Sequence, residues 1–294
     1  MLSAGKLKSN LYFNKNFGNL IEVMKLAATL QFNQFRLKQG QSDEFTRHFD
    51  NLFGILLNAG IESRLLKPDE DLPALIILIS SDEGFLGELN NLLVDKLIST
   101  KRRDDIIACV GNQGGNYLRE LGFEFTFFES PGDKIDSGSL GSLRDYAIGQ
   151  YTAKKSGRVY IVYPKFINII SQQATAEALL PLQGDSYPGK GRISNLLIEP
   201  DFDSVITGWM RIWLEFKFYQ VLWSSRLSEL AARMMHLEGS VQELKKTNLR
   251  LDMEYFKYRH ALSDKTIREL TATRLINREN DDGQRSPGKG NSGL

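Results

Sequence analysis

Hydrophobic positions near the C-terminus repeat with a period that a single helix cannot use alone. Stepping alternately three and four residues from Ile206 gives Trp209, Trp213, Phe216, Gln220, Trp223, Leu227, Leu230 and Met234. The same steps continue through Leu237, Val241, Leu244, Asn248, Leu251, Tyr255, Tyr258 and Leu262, so that fifteen of seventeen positions are apolar over eight heptads. A seam of period 3.5 predicts a left-handed supercoil with a partner helix. Gln220 and Asn248 interrupt it, and a polar residue in such a seam costs stability and fixes register. From Val205 to Ile276 the helix would run about 108 Å at the standard rise per residue. A compact domain of this length is only about 50 Å across, so the helix is expected to protrude as a rod.

The segment 14–59 offers the partner. Phe17, Ile21, Met24, Ala28 and Phe35 repeat at the same spacing, followed by Phe45, Phe49, Leu52 and Leu56. The stripe weakens at Gln31, Lys38 and Ser42, and Gly40 there predicts a bend or helix boundary. An antiparallel pairing of the two ends within one chain is the economical arrangement. A parallel homodimer through the C-terminal helix is the competing one.

Between these ends the pattern alternates. Strands are predicted at 74–80, 105–111, 123–128 and 159–163, and helices at 85–99, 116–121 and 142–155, with a loop at 131–141. Such alternation predicts an α/β layer with a mostly parallel, Rossmann-like sheet. No proline occurs before Pro68 or between Pro200 and Pro287, which fits long helices at both ends. The expected organisation is a coiled-coil helix at 1–60, an α/β domain at 61–200, a second coiled-coil helix at 201–276 and a disordered tail at 277–294, where aromatic residues are lacking.

Composition narrows the function. The chain has 294 residues, with 37 basic side chains against 36 acidic ones, a balance that argues against binding nucleic acid through bulk charge. Cys109 is the only cysteine, so no disulfide forms within the chain. His48, His236 and His260 lie far apart without a second ligand type at metal-site spacing, and no metal is expected. The best apolar run, Leu72 to Ile79, is short and carries Pro73; direct membrane insertion is not expected.

Three motifs carry possible chemistry. Residues 184–191 supply the glycines and Lys190 of a phosphate loop, but Gly191 replaces the Ser or Thr that would hold magnesium. A surface turn is the plainer reading. Gly111, Gly114 and Gly115 follow a strand, where dinucleotide folds place a glycine turn, but the pattern is incomplete and no acidic residue ends a second strand about 20 positions on. A tight strand–helix connection is expected there. Ser81, Asp82, Glu83 and Gly84 end the first strand, the usual place for a ligand; Asp82 and Glu83 could act as acid and base, yet an N-cap for the following helix is the simpler reading. No nucleophile elbow or zincin helix is present, and no cofactor is expected.

At this point six ordered segments carry a resemblance. Residues 19–28, Asn-Leu-Ile-Glu-Val-Met-Lys-Leu-Ala-Ala, are similar to the first-helix signature of the gamma subunit of rotary ATP synthases. Residues 77–90 resemble that family's first strand and the Ser-Asp-Arg-Gly segment after it. Tyr163 and Phe166, Leu180-Pro181-Leu182, and Ile198-Glu199-Pro200-Asp201 fall where the family has matching motifs. The most specific piece is Ser228 to Met234, which matches Ser-Glu-x-Ala-Ala-Arg-Met. The resemblance covers residues 14 to 276.

It implies a non-catalytic central stalk: an asymmetric shaft inside a ring of alternating alpha and beta subunits, with the α/β domain against the epsilon subunit and the membrane rotor ring. It further implies a peripheral position on the cytoplasmic face of a membrane, with a bacterial source expected from the absence of a transit-like leader. The residues it suggests for partner contacts are Met24, Lys25, Ser81, Asp82, Glu83, Arg233, Met234, Arg259, Asp264, Lys265 and Glu269. The chain departs from the family pattern at Leu30 and Gln31, at Glu83 (usually Arg), at Glu88 (usually Gly), and at Asp264 and Lys265. These departures mark a divergent member. The alternative is a coiled-coil interaction scaffold with an α/β adaptor domain.

Overall fold

The structure is a computed structural model, and it describes residues 4–38, 68–132, 135, 137–181, 199 and 201–284. Element order is α1 (Ala4–Lys38), β1 (Ala74–Ile79), α2 (Leu89–Thr100), β2 (Ile106–Val110), α3 (Asn112–Glu120), β3 (Thr126–Phe128), α4 (Ser137–Thr152), β4 (Arg158–Phe166), β5 (Gln172–Leu180) and α5 (Phe202–Gln284). The chain divides into two compact units, one of Met1–Val23 with Gly239–Leu294, the other Met24–Glu238.

The larger unit holds one five-stranded sheet in the order β3-β2-β1-β4-β5. β1 pairs in parallel with β2 and β4, β2 pairs in parallel with β3, and β5 closes the sheet antiparallel to β4. Alternation along β1 explains its unbroken apolar run. Leu75, Ile77 and Ile79 face α4 and α5, packing in one core with Leu143, Ala147, Trp213, Leu214 and Phe218. Ile76 and Leu78 face α2 and α3, packing with Leu93, Leu97 and Leu118. Both faces of the strand are therefore covered.

The expected mostly parallel sheet is present, with one strand added. β5 was not predicted, because its Gln172, Ala174, Ala176 and Glu177 are weak strand formers. Pairing with β4, from Val159↔Leu180 to Phe166↔Gln172, overrides that preference. Other limits shift: α2 begins at Leu89 rather than Phe85, α3 at Asn112 rather than Asn116, and α4 at Ser137 inside the expected loop. α5 continues past Ile276 to Gln284, into the stretch read as tail. The glycine loop at 184–191 and the stripe from Phe45 to Leu56 lie outside the described residues.

Each unit also holds part of the α1–α5 pairing. In the larger one, Phe32 and Phe35 pack with Trp223, Leu227, Leu230 and Ala231, and Lys25 Nζ lies 2.7 Å from Glu238 Oε2. In the smaller one, Asn14 donates its amide to Asn248 Oδ1 at 2.9 Å, and a Cβ on Gly18 would sit 3.2 Å from Leu244 Cδ2. Numbers rise along α1 as they fall along α5, so the pairing is antiparallel and within one chain. Asn248, the polar interruption of the seam, has its partner in Asn14.

Candidate functional site

The carboxyl end of β1 is tied to its neighbours by polar groups. Ser80, almost fully buried, donates its hydroxyl to the Val110 carbonyl at 2.8 Å and accepts the Gly114 amide at 3.0 Å. This closeness requires glycine on the other side. Gly111 has φ +94°, and a Cβ there would fall 2.2 Å from the Ser80 carbonyl oxygen. Asp82 then fills the start of α3: its Oδ1 accepts the Asn112 backbone amide at 3.0 Å and the Asn112 side chain at 3.1 Å. A helix N-terminus attracts an anion, and here the anion is the chain's own carboxylate. The glycine turn is the tight connection expected. Asp82 does cap a helix, but the neighbouring α3 rather than α2, so that part of the sequence reading is corrected.

Beyond Asp82 the loop turns onto α5. Ser81, buried, is hydrogen-bonded to Asn90 at 2.9 Å and to the Glu83 carbonyl at 2.9 Å. Phe85 (φ +64°) and Gly87 (φ +60°) adopt left-handed backbone, which brings Leu86 down. Leu86 and Leu89 bury against Ala232. Glu83 Oε2 meets Arg233 Nη2 at 2.9 Å, an ion pair out of line for a hydrogen bond. The Arg233 side chain is 8% exposed and that of Glu83 is 66% exposed.

The segment from Ser228 to Met234 reads as the counterpart of this loop. Ser228 donates to the Pro164 carbonyl at 2.9 Å, next to the bond from the Phe166 amide to Ser224 Oγ at 3.0 Å. Ala231 and Ala232 are small enough for close packing on two sides. Glu229 is buried. Burial raises its carboxyl above the ordinary range, while Arg226, with Nη1 at 3.1 Å, and Arg233 counter that rise. On the far side of Ser224 the helix is tied to β5, where Lys217 Nζ lies 2.9 Å from Glu177 Oε2. Glu177 also accepts the Tyr163 hydroxyl at 2.7 Å. Burial pushes Glu177 up, yet that hydroxyl and the two lysines, Lys217 and Lys165, hold it below the usual carboxylate range. Nothing in the hydrophobic pattern pointed to the Tyr163–Glu177–Lys217 group, because β5 itself was missed.

The sequence-predicted contact residues fall into four groups. Ser81 and Arg233 are interior and engaged within the chain. Asp82 and Glu83 spend their charges on Asn112 and Arg233. Met24, Lys25 and Met234 are half-buried, Lys25 in its pair with Glu238. Arg259, Asp264, Lys265 and Glu269 are exposed, with Lys265 and Glu269 in a loose pair at 3.8 Å. In the smaller unit Lys265 also borders a groove of 610 Å³ lined by Leu7, Tyr258 and Leu262. Among the described residues, no group of three His, Cys, Asp or Glu could hold a metal ion. Cys109 is buried, and burial pushes its thiol up to about 12, so it is not a nucleophile at neutral pH. No described helix is long and apolar enough to cross a membrane.

This arrangement joins a long helix to a sheet. The ATP synthase family profile matches residues 4–272. The chain belongs to the ATP synthase family. Its relatives there are gamma chains: that of Clostridium perfringens is 27% identical over 279 residues, covering 92% of this chain and 97% of the relative. That of Mycoplasmopsis pulmonis is also 27% identical, covering 92% and 99%. The fold is shared with a chain of the Euglena gracilis mitochondrial ATP synthase, OSCP/F1/c-ring, at a TM-score of 0.70 and 16% identity, covering 99% of both chains. A chain of the rotor of the same Euglena enzyme matches at 0.63 and 17% identity, covering 88% and 98%. The expected gamma-subunit fold, two terminal helices with a mixed α/β sheet, is that of this family.

Proposed function

We infer that the chain works as the rotating central stalk of an ATP synthase, a non-catalytic gamma subunit that couples ion flow to ATP synthesis or hydrolysis. The observation that carries this reading is the surface of α5 in the smaller unit. Leu249, Met253, Phe256, Leu262, Ile267, Leu270 and Leu275 are each more than half exposed there, the seam residue Leu262 among them. Apolar surface of that extent marks contact with other subunits. The alpha and beta subunits are the partners for this helix, with Arg259, Asp264, Lys265 and Glu269 as its polar contacts. The α/β domain serves the epsilon subunit and the membrane rotor ring, on the cytoplasmic face of the membrane.

The mechanism needs no reacting group on this chain. A shaft without threefold symmetry presents different side chains to each catalytic site as it turns. Shifting one site from 1:99 to 99:1 takes about 5.5 kcal/mol of differential contact energy, which a few side chains can supply. By reciprocity, nucleotide occupancy biases the angle of the shaft.

Co-expression with the alpha and beta subunits of its own source tests the reading. The expected product is a stable ATP-hydrolysing complex with a single copy of this chain, and the purified chain alone is expected to bind no ATP in equilibrium dialysis. A chain that never associates with those subunits, or that sediments as a concentration-dependent homodimer, overturns it in favour of a scaffold.

A further inference from the structure

We propose that Glu83 is a positioning residue of the rotor, a latch that locks the β1–α2 loop onto α5 so that helix and sheet turn as one body; this rests on the rotor reading above. The apolar packing of α5 on the sheet holds the helix close but is non-directional, and resists twisting about the helix axis poorly. Polar ties resist it better, and their placement matters. Lys217, Ser224 and Ser228, which bind β5 and β4, fall within about 40° of one another around the helix at 3.6 residues per turn. Arg233 lies about 140–180° round from them on the same count. The Glu83–Arg233 pair is thus a polar tie on the opposite side of the helix, the one that reaches the β1–α2 loop, while Glu215 on that same side is held by Arg144 of α4. Ties on one side act as a hinge. Ties on opposite sides act as a clamp.

The loop is built to carry such a load. Its near end is fixed by Ser81 on Asn90 and Asp82 on Asn112. Its far end is fixed by Leu86 under Ala232 and by the left-handed turn at Phe85 and Gly87, where the Gly87 Cβ position lies 3.5 Å from the His236 ring. Between these points only Glu83 reaches a charge on the helix. Arg233 is buried beside Glu229, which is held directly by Arg226, and a guanidinium buried there is costly to leave without an anion.

Two measurements on Glu83→Gln and Glu83→Arg test the latch. Hydrogen exchange on the full-length chain should show the amides of residues 84–88 losing protection at least tenfold in Glu83→Gln and further in Glu83→Arg, with β1 and β4 unchanged. The Glu83→Gln effect should shrink in high salt, because the glutamate end of the pair is exposed. In the complex reconstituted with its membrane sector in vesicles, ions moved per ATP hydrolysed should fall severalfold in the same order. Unchanged exchange at 84–88 overturns the latch; loosened exchange with an unchanged ion-to-ATP ratio overturns its part in rotation. Failure of even the unmodified chain to join alpha and beta subunits would sink the rotor reading, and the exchange arm would still decide the latch.

Discussion

Along residues 202–238, α5 buries Met210, Leu214, Phe218, Leu227, Leu230 and Ala231, and it places Lys217, Ser224, Ser228 and Arg233 on partners within its own unit. Along residues 239–275 of the same helix, Val241 is buried, Leu244, Asn248 and Leu251 are half-buried, and seven large apolar side chains stand 53% to 64% exposed. The seam runs through both stretches with one spacing. What differs is how much of the helix surface the chain covers. A helix lying on a sheet and flanked by two others is enclosed, whereas a helix in a pair buries only a stripe. The first stretch therefore owes its stability to this chain, and the second carries apolar surface that this chain leaves uncovered.

Truncation in the enclosed stretch should have the largest effect. Phe218 is fully buried between the sheet and α4, so Phe218→Ala should cost about 3–5 kcal/mol of unfolding free energy. Denaturant melting checks it. A cost below about 1 kcal/mol would mean that the helix is not seated on the sheet as described.

A smaller effect is expected where the paired stretch uses polarity. Asn14→Leu leaves the Asn248 side chain in the seam without its partner, for about 1–2 kcal/mol. The double change to leucine at both positions should recover that loss and more, at the expense of register. Thermal melting of the two variants separates the cases, and equal loss in both would show that the two amides do not depend on each other.

These contrasts also explain what the residues revealed before the structure did. The seam was legible because every third or fourth side chain repeats a type over eight heptads, and burial follows it: Leu227, Leu230, Leu237 and Val241 are all interior. The parallel strands were legible because both faces of β1 are apolar. β5 was not, since alanine, glutamine and glutamate at a sheet edge look like helix or loop, and its place is set by pairing with β4. Within the candidate site, the segment Ser228–Met234 stood out as a motif, yet its residue types did not say which way they face. Arg233 reads as a surface charge until the loop carrying Glu83 is folded over it. Asp82 reads as a cap for the next helix until α3 is placed beside it. Sequence spacing shows which residues share a helix face, and only the fold shows which loop arrives there.

Two carboxylates in the enclosed unit should respond to pH in opposite senses. Glu177 is held below the ordinary carboxylate value by Tyr163, Lys217 and Lys165, so its stabilisation is present at neutral pH and is lost as pH falls through that lowered value. Glu229 is held above it by burial, so its contribution is full when the group is protonated and is lost as pH rises through the raised value. Urea midpoints at about pH 3 and pH 7, below and above most carboxylate titration, check this. Glu177→Gln should hurt more at the higher pH, and Glu229→Gln should hurt less there. Parallel pH trends would mean that one of the two environments is misassigned.

The smallest effect on stability is expected in the exposed stretch, where the comparison is sharpest. Met253 is 59% exposed and Phe256 is 56% exposed. Replacing either with glutamine removes little buried surface and keeps helix propensity, so unfolding free energy should change by no more than about 0.5 kcal/mol. The same variants should nevertheless weaken association with alpha and beta subunits, because apolar surface left open by one chain gains its free energy only when another chain covers it. Measured together, melting of the isolated chain and recovery of the assembled complex should part company here and move together for Phe218→Ala. If Met253→Gln and Phe256→Gln leave both unchanged, that face of α5 is solvent surface in the assembly as well, and the helix meets its partners through the charged positions Arg259, Asp264, Lys265 and Glu269 instead.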